Sequence, residues 1–249
     1  MNSFKLCNNN GVVWWWNVEV FCLFLLTFST MRLGLLSITL SHNIIMGAKL
    51  FFYYSAMNAG KSTTLLQADF NYKEQGMKTV LLTPSVDTRA GEGVIKSRLG
   101  IESKADCFDK ECDLFAVVRK SHKVGKVACV LVDEAQFLTK KQVLQLTAVC
   151  DTLNIPVLCY GIRTDFLGEP FEGSKYLLAW AEQLIEIKTV CRSGKKATMN
   201  ARLDANGQQV LAGDQVSIGL NYEAMSRKAF DLPSISPIGW KVPPPDDDE

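Results

Sequence analysis

The stretch SAMNAGKST at residues 55–63 constrains this chain more than any other feature. It follows an apolar, aromatic run, KLFFYYS at 49–55, and opens KSTTLLQADFNYKEQG at 61–76, which reads as a helix closed by Gly76. A phosphate-binding loop works only in that place, between a strand and the helix it starts. Backbone N–H groups of the loop and of the first helical turn then point at phosphate oxygens. Lys61 supplies a cation for the β- and γ-phosphates, and Ser62 a hydroxyl for Mg²⁺. The segment Ser55, Ala56, Met57, Asn58, Ala59, Gly60, Lys61, Ser62 and Thr63 is therefore the candidate ATP loop. Ser55 stands where glycine is usual. A serine fits there if its φ is negative, and Gly60, where backbone must pass close to the phosphates, is retained.

From this loop onward apolar runs alternate with amphipathic ones. KTVLLTP at 78–84, VACVLVD at 127–133, PVLCYG at 156–161 and LIEIKTV at 184–190 read as strands, and KKQVLQLTAVCDTLN at 140–154 and SKYLLAWAEQ at 174–183 as helices. VACVLV has no polar alternation, as expected of a strand covered on both faces. The expected fold is α/β: a P-loop parallel sheet with flanking helices, a RecA-like nucleotide-binding core, whose ligand crevice lies beyond the carboxyl ends of the strands. After Cys191 the chain turns polar and Gly-rich, which reads as a small appended loop subdomain, not more sheet.

VLVDEAQF at 130–137 completes a nucleotide site, because it releases two acids at the end of a buried strand. Asp133 is placed to hold Mg²⁺ with Ser62, and Glu134 to take a proton from an attacking hydroxyl or water. Two classes fit: an ATP-driven motor that activates water, or a kinase that phosphorylates an alcohol. A motor needs a second RecA-like domain with arginine fingers, and the residues after 190 read as none. A small acceptor needs only a pocket, for which YGIRTDFLGEPFEGSKYL at 160–177 is the candidate. Taken alone, Phe166 and Phe171 after a strand are more often core than ligand platform.

The 27 basic and 26 acidic residues leave a net charge of +1, so no whole-chain field favours nucleic acid or an anionic membrane. Eight scattered cysteines, several inside apolar runs, read as reduced cytosolic thiols. Cys107 and Cys112 enclose FDKE, which fits no usual metal spacing. Residues 1–45 are apolar, with Lys5, Glu19 and Arg32 as their only formal charges. A spanning helix there would have to bury Arg32, at a cost of roughly 3 kcal/mol. The favoured expectation is that Met46 starts the working protein, with a weak membrane anchor as the alternative. SPIGWKVPPPDDDE at 236–249 is expected to be disordered.

SAMNAGKST, VDTR at 86–89, LVDEAQF, IPVLCYGIRTDFLGEPF, KKATMNARL at 195–203 and VSIG with a following Tyr222 together resemble the thymidine kinases of the bacterial and cytosolic, tetrameric type. The resemblance runs from about Met46 to Leu232. It implies ATP- and Mg²⁺-dependent phosphorylation of the thymidine 5′-hydroxyl, and of deoxyuridine, in a cytoplasmic homotetramer that salvages DNA precursors. It implies that Glu134 is the general base, that Arg89 lies by the transferring phosphate, and that Gln136 belongs to the same nucleotide motif. Met57, Phe166, Phe171 and Tyr222 would surround the nucleoside, under a lasso loop at 191–221 that holds the base through main-chain groups. The implied domains are 1–45, an extension; 46–190, the kinase core; 191–232, the lasso subdomain; and 233–249, a tail.

The family anchors its lasso with a structural zinc on two pairs of ligands. Here Cys191 stands, but Ser193, Ser226 and Ala229 occupy the other places. One ligand in four cannot hold tetrahedral zinc, so zinc is expected to be absent. Two readings stay open: a metal-free active kinase, or a degenerate relative that binds nucleotide without phosphorylating an acceptor.

Overall fold

A computed structural model describes residues 3–7, 13–17, 47–215 and 221–230. The chain divides into a unit of Met1–Ile45 and one of Met46–Glu249. In the first, β1 (Ser3–Cys7) pairs antiparallel with β2 (Val13–Asn17). The expectations for an anchor beyond Val20 and for the tail after 232 lie outside the described residues. Among the described residues no helix is long and apolar enough to cross a membrane.

The second unit is built on six parallel strands. In chain order these are β3 (Leu50–Ser55), β4 (Lys78–Pro84), β7 (Asp106–Phe108), β8 (Val127–Val132), β9 (Val157–Ile162) and β10 (Gln183–Glu186). Across the sheet they run β10-β3-β9-β8-β4-β7. Alternation sends successive side chains to opposite faces. Leu50, Phe52, Val80, Leu82, Val130, Val132, Val157 and Cys159 meet helices α2 (Leu114–Val124), α3 (Lys140–Leu153) and α4 (Glu172–Trp180). Leu81, Cys129, Leu131, Leu158 and Tyr160 pack on Leu65 and Leu66 of the single helix α1 (Lys61–Glu74) and on Ile95 of β5 (Val94–Lys96). β5 pairs antiparallel with β6 (Glu102–Lys104). With both faces covered, the central strands are apolar throughout, which is why VACVLV carries no alternating pattern.

Strand order places the site. The chain leaves β3 through α1 and returns on β4, passing over β9 and β8, so the carboxyl ends of β3, β9 and β8 lie side by side at the point where the winding reverses. Residues 55–63, 133–137 and 163–171 all leave from that edge.

Three expectations need correction. LIEIKTV is not one strand: β10 ends at Glu186, and Thr189–Val190 forms β11, paired with β12 (Lys196–Ala197) outside the main sheet. The region after Cys191, read as loops alone, contains β12 and the hairpin of β13 (Met199–Leu203) with β14 (Asn221–Met225), although it adds nothing to the six-stranded sheet. Strand β7 and helix α2 were not foreseen, since only Phe108 of the three-residue β7 is buried, and α2 is a short amphipathic turn of chain capped by the Asp113 carboxylate on the Ala116 N–H at 3.0 Å.

One contact ties α4 to the catalytic edge. A Cβ on Gly173 would lie 2.5 Å from the Ala135 carbonyl oxygen, 2.8 Å from that of Leu138 and 2.9 Å from that of Gln136, all backbone atoms that cannot swing aside. Gly173→Ala is expected to lower stability by about 2 kcal/mol in urea unfolding, the range seen when packed cores are overfilled. An unchanged midpoint would show that α4 can back away from the acidic loop.

Candidate active site

The phosphate loop owes its shape to two left-handed residues, Asn58 (φ 63°) and Gly60 (φ 86°). Gly60 caps α1 without any side-chain hydrogen bond, so the first N–H groups of the helix face the crevice. A Cβ at Gly60 would touch nothing within 4 Å, so it is backbone conformation that calls for glycine there. Ser55 is not among the positive-φ residues, which removes the objection to a serine in its place. Its hydroxyl donates to the Ala56 carbonyl at 2.8 Å and accepts from Lys61 Nζ at 3.1 Å, and Nζ also donates to the Ala56 carbonyl at 3.0 Å. Ser55 and Ala56 thus lie beneath the loop and seat the lysine, whereas Met57 to Thr64 line the crevice. Burial pushes the Lys61 ammonium down from its ordinary range, against the opposing pull of Glu134 and Asp133.

Asp133 emerges buried from β8 and accepts the Ser62 hydroxyl on Oδ2 at 3.0 Å, while its buried Oδ1 has no partner. Burial first, and the neighbouring Glu134 charge second, raise the Asp133 carboxyl to about 7 despite the Ser62 bond. A carboxylate and a hydroxyl converging beside an unsatisfied oxygen fit a hard divalent cation, which takes oxygen ligands.

Glu134 sits at φ 45°, a conformation uncommon for a residue with a long side chain and one that turns its carboxylate into the crevice. Arg89 Nη2 donates to its Oε1, and Gln136 Nε2 donates to Oε2 at 2.5 Å. Arg89 also grips Asp87 through Nε and Nη2, both at 2.7 Å. Burial raises the Asp87 carboxyl, but the hydrogen bonds and charge of Arg89 outweigh it and hold the group below its usual range. Gln136, expected at the nucleotide, is buried with its carboxamide engaged by Glu134 and by the Ile162 N–H at 3.2 Å, so it orients the acid.

The crevice, of about 940 Å³, extends from the phosphate loop to Phe166, Phe171 and Tyr222. Phe166 and Phe171 are nearly inaccessible, so they are core and wall at once. Arg202 was not foreseen: buried on β13, it lays its guanidinium 3.7 Å from the Phe166 ring centre and donates to the Tyr222 hydroxyl from Nε (3.1 Å) and Nη2 (2.8 Å). Nη2 also donates to the Asp214 carbonyl at 2.7 Å, and Gln215 Nε2 donates to Asp165 Oδ2 at 2.9 Å. Asn200, also unforeseen, bonds the phosphate loop at the Met57 N–H and the loop after β9 at the Thr164 carbonyl. The one available signal was a pair of polar residues alternating in a strand, MNARL, that otherwise reads as exposed.

The four positions that the family resemblance assigns to zinc do not fit it. The Cys191 sulfur lies 3.1 Å from the Ser193 hydroxyl and receives a bond from the Ser226 N–H, so three of the four positions meet in space with one sulfur among them. The Ser193 hydroxyl and these backbone donors lower the Cys191 thiol to about 7.

The profile of the family described as thymidine kinase matches residues 48–230. A thymidine kinase of Aliivibrio fischeri is 55% identical over 185 residues, 74% of this chain and 96% of that protein. One from Zymomonas mobilis is 57% identical over 185 residues, 74% of this chain and 96% of that protein, and one from Xanthomonas axonopodis is 58% identical over 186 residues, 74% of this chain and 89% of that protein.

Asp133 generates a sign test. Its folded value of about 7 lies above that of an unfolded aspartate, so its ionisation opposes folding at and above neutral pH and ceases to matter as the unfolded carboxyl protonates near pH ~4. Asp133→Asn, assayed without divalent cations, is expected to melt a few degrees above the parent at pH 8, with the gap closing toward pH 4. A lower melting temperature at pH 8 would mean that the carboxylate is better solvated than its burial indicates.

Proposed function

The chain belongs to the thymidine kinase family, and we propose that it moves the γ-phosphoryl group of ATP to the 5′-hydroxyl of thymidine, and of deoxyuridine, giving the 5′-monophosphate and ADP. The observation that carries this reading is the Glu134 carboxylate, aimed into a crevice between the phosphate loop and an aromatic wall and held on both oxygens by Arg89 and Gln136. A water-activating motor would have no use for that wall.

In this mechanism the N–H groups at the start of α1 and the Lys61 ammonium hold the phosphates of ATP. Ser62 and Asp133 are the residues that would hold Mg²⁺, which would supply positive charge to the phosphates of ATP. Glu134 takes the 5′-hydroxyl proton as the nucleoside oxygen bonds to the γ-phosphorus in line and the bond to the β-phosphate oxygen breaks. Arg89, already poised on Glu134, supplies positive charge beside the transferring group. Phe166, fixed by the Arg202 guanidinium stacked on its ring, backs the part of the crevice that takes thymine.

In this reading the lasso subdomain, 191–232, is attached through polar contacts of its described residues in place of zinc. Arg202 joins Phe166, Tyr222 and Asp214, and Gln215 joins Asp165. This supports a metal-free active kinase over the degenerate relative. Residues 46–190 serve as the kinase core, and 1–45 and 233–249 are dispensable for catalysis. The assembly is a cytoplasmic homotetramer, in keeping with the family resemblance and with apolar Phe70, Leu144 and Leu184 left exposed on the outside of the core.

Transfer from labelled ATP to thymidine by the chain started at Met46 tests the reading directly. Glu134→Gln is expected to lower the rate of transfer by about 10²- to 10⁴-fold while ATP binding persists. Unchanged turnover would assign the proton to another group. Purified protein is also expected to carry no stoichiometric zinc and to keep its turnover in a zinc chelator; about one zinc per chain by metal analysis would overturn the polar-docking reading.

A further inference from the structure

Strand β13 presents two buried polar side chains, Asn200 and Arg202, at alternate positions, while Met199 and Ala201, which alternate with them, pack with Phe230 in a small apolar cluster. Arg202 serves the aromatic wall. Asn200 does something different: its Oδ1 accepts the Met57 N–H at 2.7 Å, and its Nδ2 donates to the Thr164 carbonyl at 3.3 Å. Met57 belongs to the phosphate loop, beside the left-handed Asn58, and Thr164 belongs to the loop that carries Phe166. One carboxamide on the lasso strand therefore spans the donor loop and the acceptor loop. The neighbouring Arg163 adds a second tie, from Nη2 to the Thr198 carbonyl at 3.4 Å, but it does not reach the phosphate loop.

We propose that Asn200 is a positioning residue that couples nucleoside binding to ATP binding, by fixing the Met57 N–H of the phosphate loop only when the lasso strand is docked on the acceptor loop. The inference rests on the kinase reading given above. Its logic is reciprocal. A nucleoside against the loop that carries Phe166 favours the docked β13 and so seats Asn200 on the Met57 N–H, and ATP bound at the phosphate loop favours the docked strand by the same factor. Only a carboxamide can do this, because one end must accept from an N–H and the other must donate to a carbonyl. An aspartate would turn an acceptor toward the Thr164 oxygen, and a serine is too short to span both loops.

The test measures binding of a β,γ-methylene ATP analogue with Mg²⁺ to the full chain, with and without saturating thymidine, and of thymidine with and without the analogue. The parent protein is expected to show mutual tightening of about fivefold or more. In Asn200→Leu, close in shape and without polar atoms, each ligand alone is expected to bind within about threefold of the parent, while the mutual factor falls to about one. In turnover, KM for each substrate would stop depending on the concentration of the other. Should the leucine variant fail to fold in thermal melts, Asn200→Ser is read in the same way. Tightening that survives either folded variant overturns the inference, as does a parent protein that phosphorylates thymidine without mutual tightening. A parent that binds the analogue and makes no thymidine monophosphate sinks the kinase reading itself, so the two failures are distinguishable.

Discussion

The structure depends on a pair of adjacent carboxylates, one of them buried, at the mouth of β8. Asp133 and Glu134 leave β8 one after the other, and their repulsion, added to burial, is strong enough to lift Asp133 to about 7. A fold tolerates this only where cations are close by. Lys61 and Arg89 are those cations, and each comes from a different crossover of the sheet: Lys61 from the start of α1, Arg89 from the segment after β4. The acids, the lysine and the arginine therefore make one electrostatic unit. The sheet order, which returns the chain to β4 beyond β9 and β8, brings its parts to one edge.

Around that unit the chain uses backbone geometry where side chains would be too slow to reorganise. Glu134 and Asn58 are both left-handed, and the strain at Glu134 is held by Gln136, whose buried carboxamide reaches back to the Ile162 N–H. Gly161 and Gly173 let the same segment pack closely, since a Cβ at either would meet its polar atoms at 2.9 Å or less. The acidic loop is thus clamped from β9 on one side and α4 on the other. A preorganised acid of this kind needs little rearrangement at the moment of proton transfer.

How much of this was legible from sequence follows the range of the interactions. Lys61, Ser62, Asp133 and Glu134 announce themselves because strand, loop and helix must occur in that order for the chemistry to exist, and local pattern carries that order. The apolar runs of β4, β8 and β9 were equally plain, being buried over most of their length, whereas LIEIKTV was read too long, since its strand stops at Glu186 and leaves Leu184 exposed. β7 and α2 were not plain, because a three-residue edge strand has almost no periodicity to read. Gln136 was placed at the nucleotide on the strength of its motif, and only the fold shows that its partner is Glu134. Asn200 and Arg202 were invisible for a different reason: their partners lie 143 and 36 residues away respectively, in the bond to Met57 and the stacking on Phe166, and nothing local distinguishes a docked polar strand from a solvated one.

The serines in the place of zinc ligands bear on how the lasso is held. A metal site orders a small loop from within, by closing it on itself, and leaves its attachment to the rest of the molecule unspecified. Among the described residues, Asn200 bonds Met57 and Thr164, Gln215 bonds Asp165, and Arg202 stacks on Phe166 while bonding Tyr222 and Asp214 within its own segment, so polar contacts tie this part of the chain to the core. Folding of the lasso and assembly of the active site then become one event. A ligand that touches both sides of these contacts favours the docked strand by as much as it binds that arrangement better. Loss of the metal would leave the subdomain more dependent on its substrates for order, and hence a more sensitive reporter of their presence.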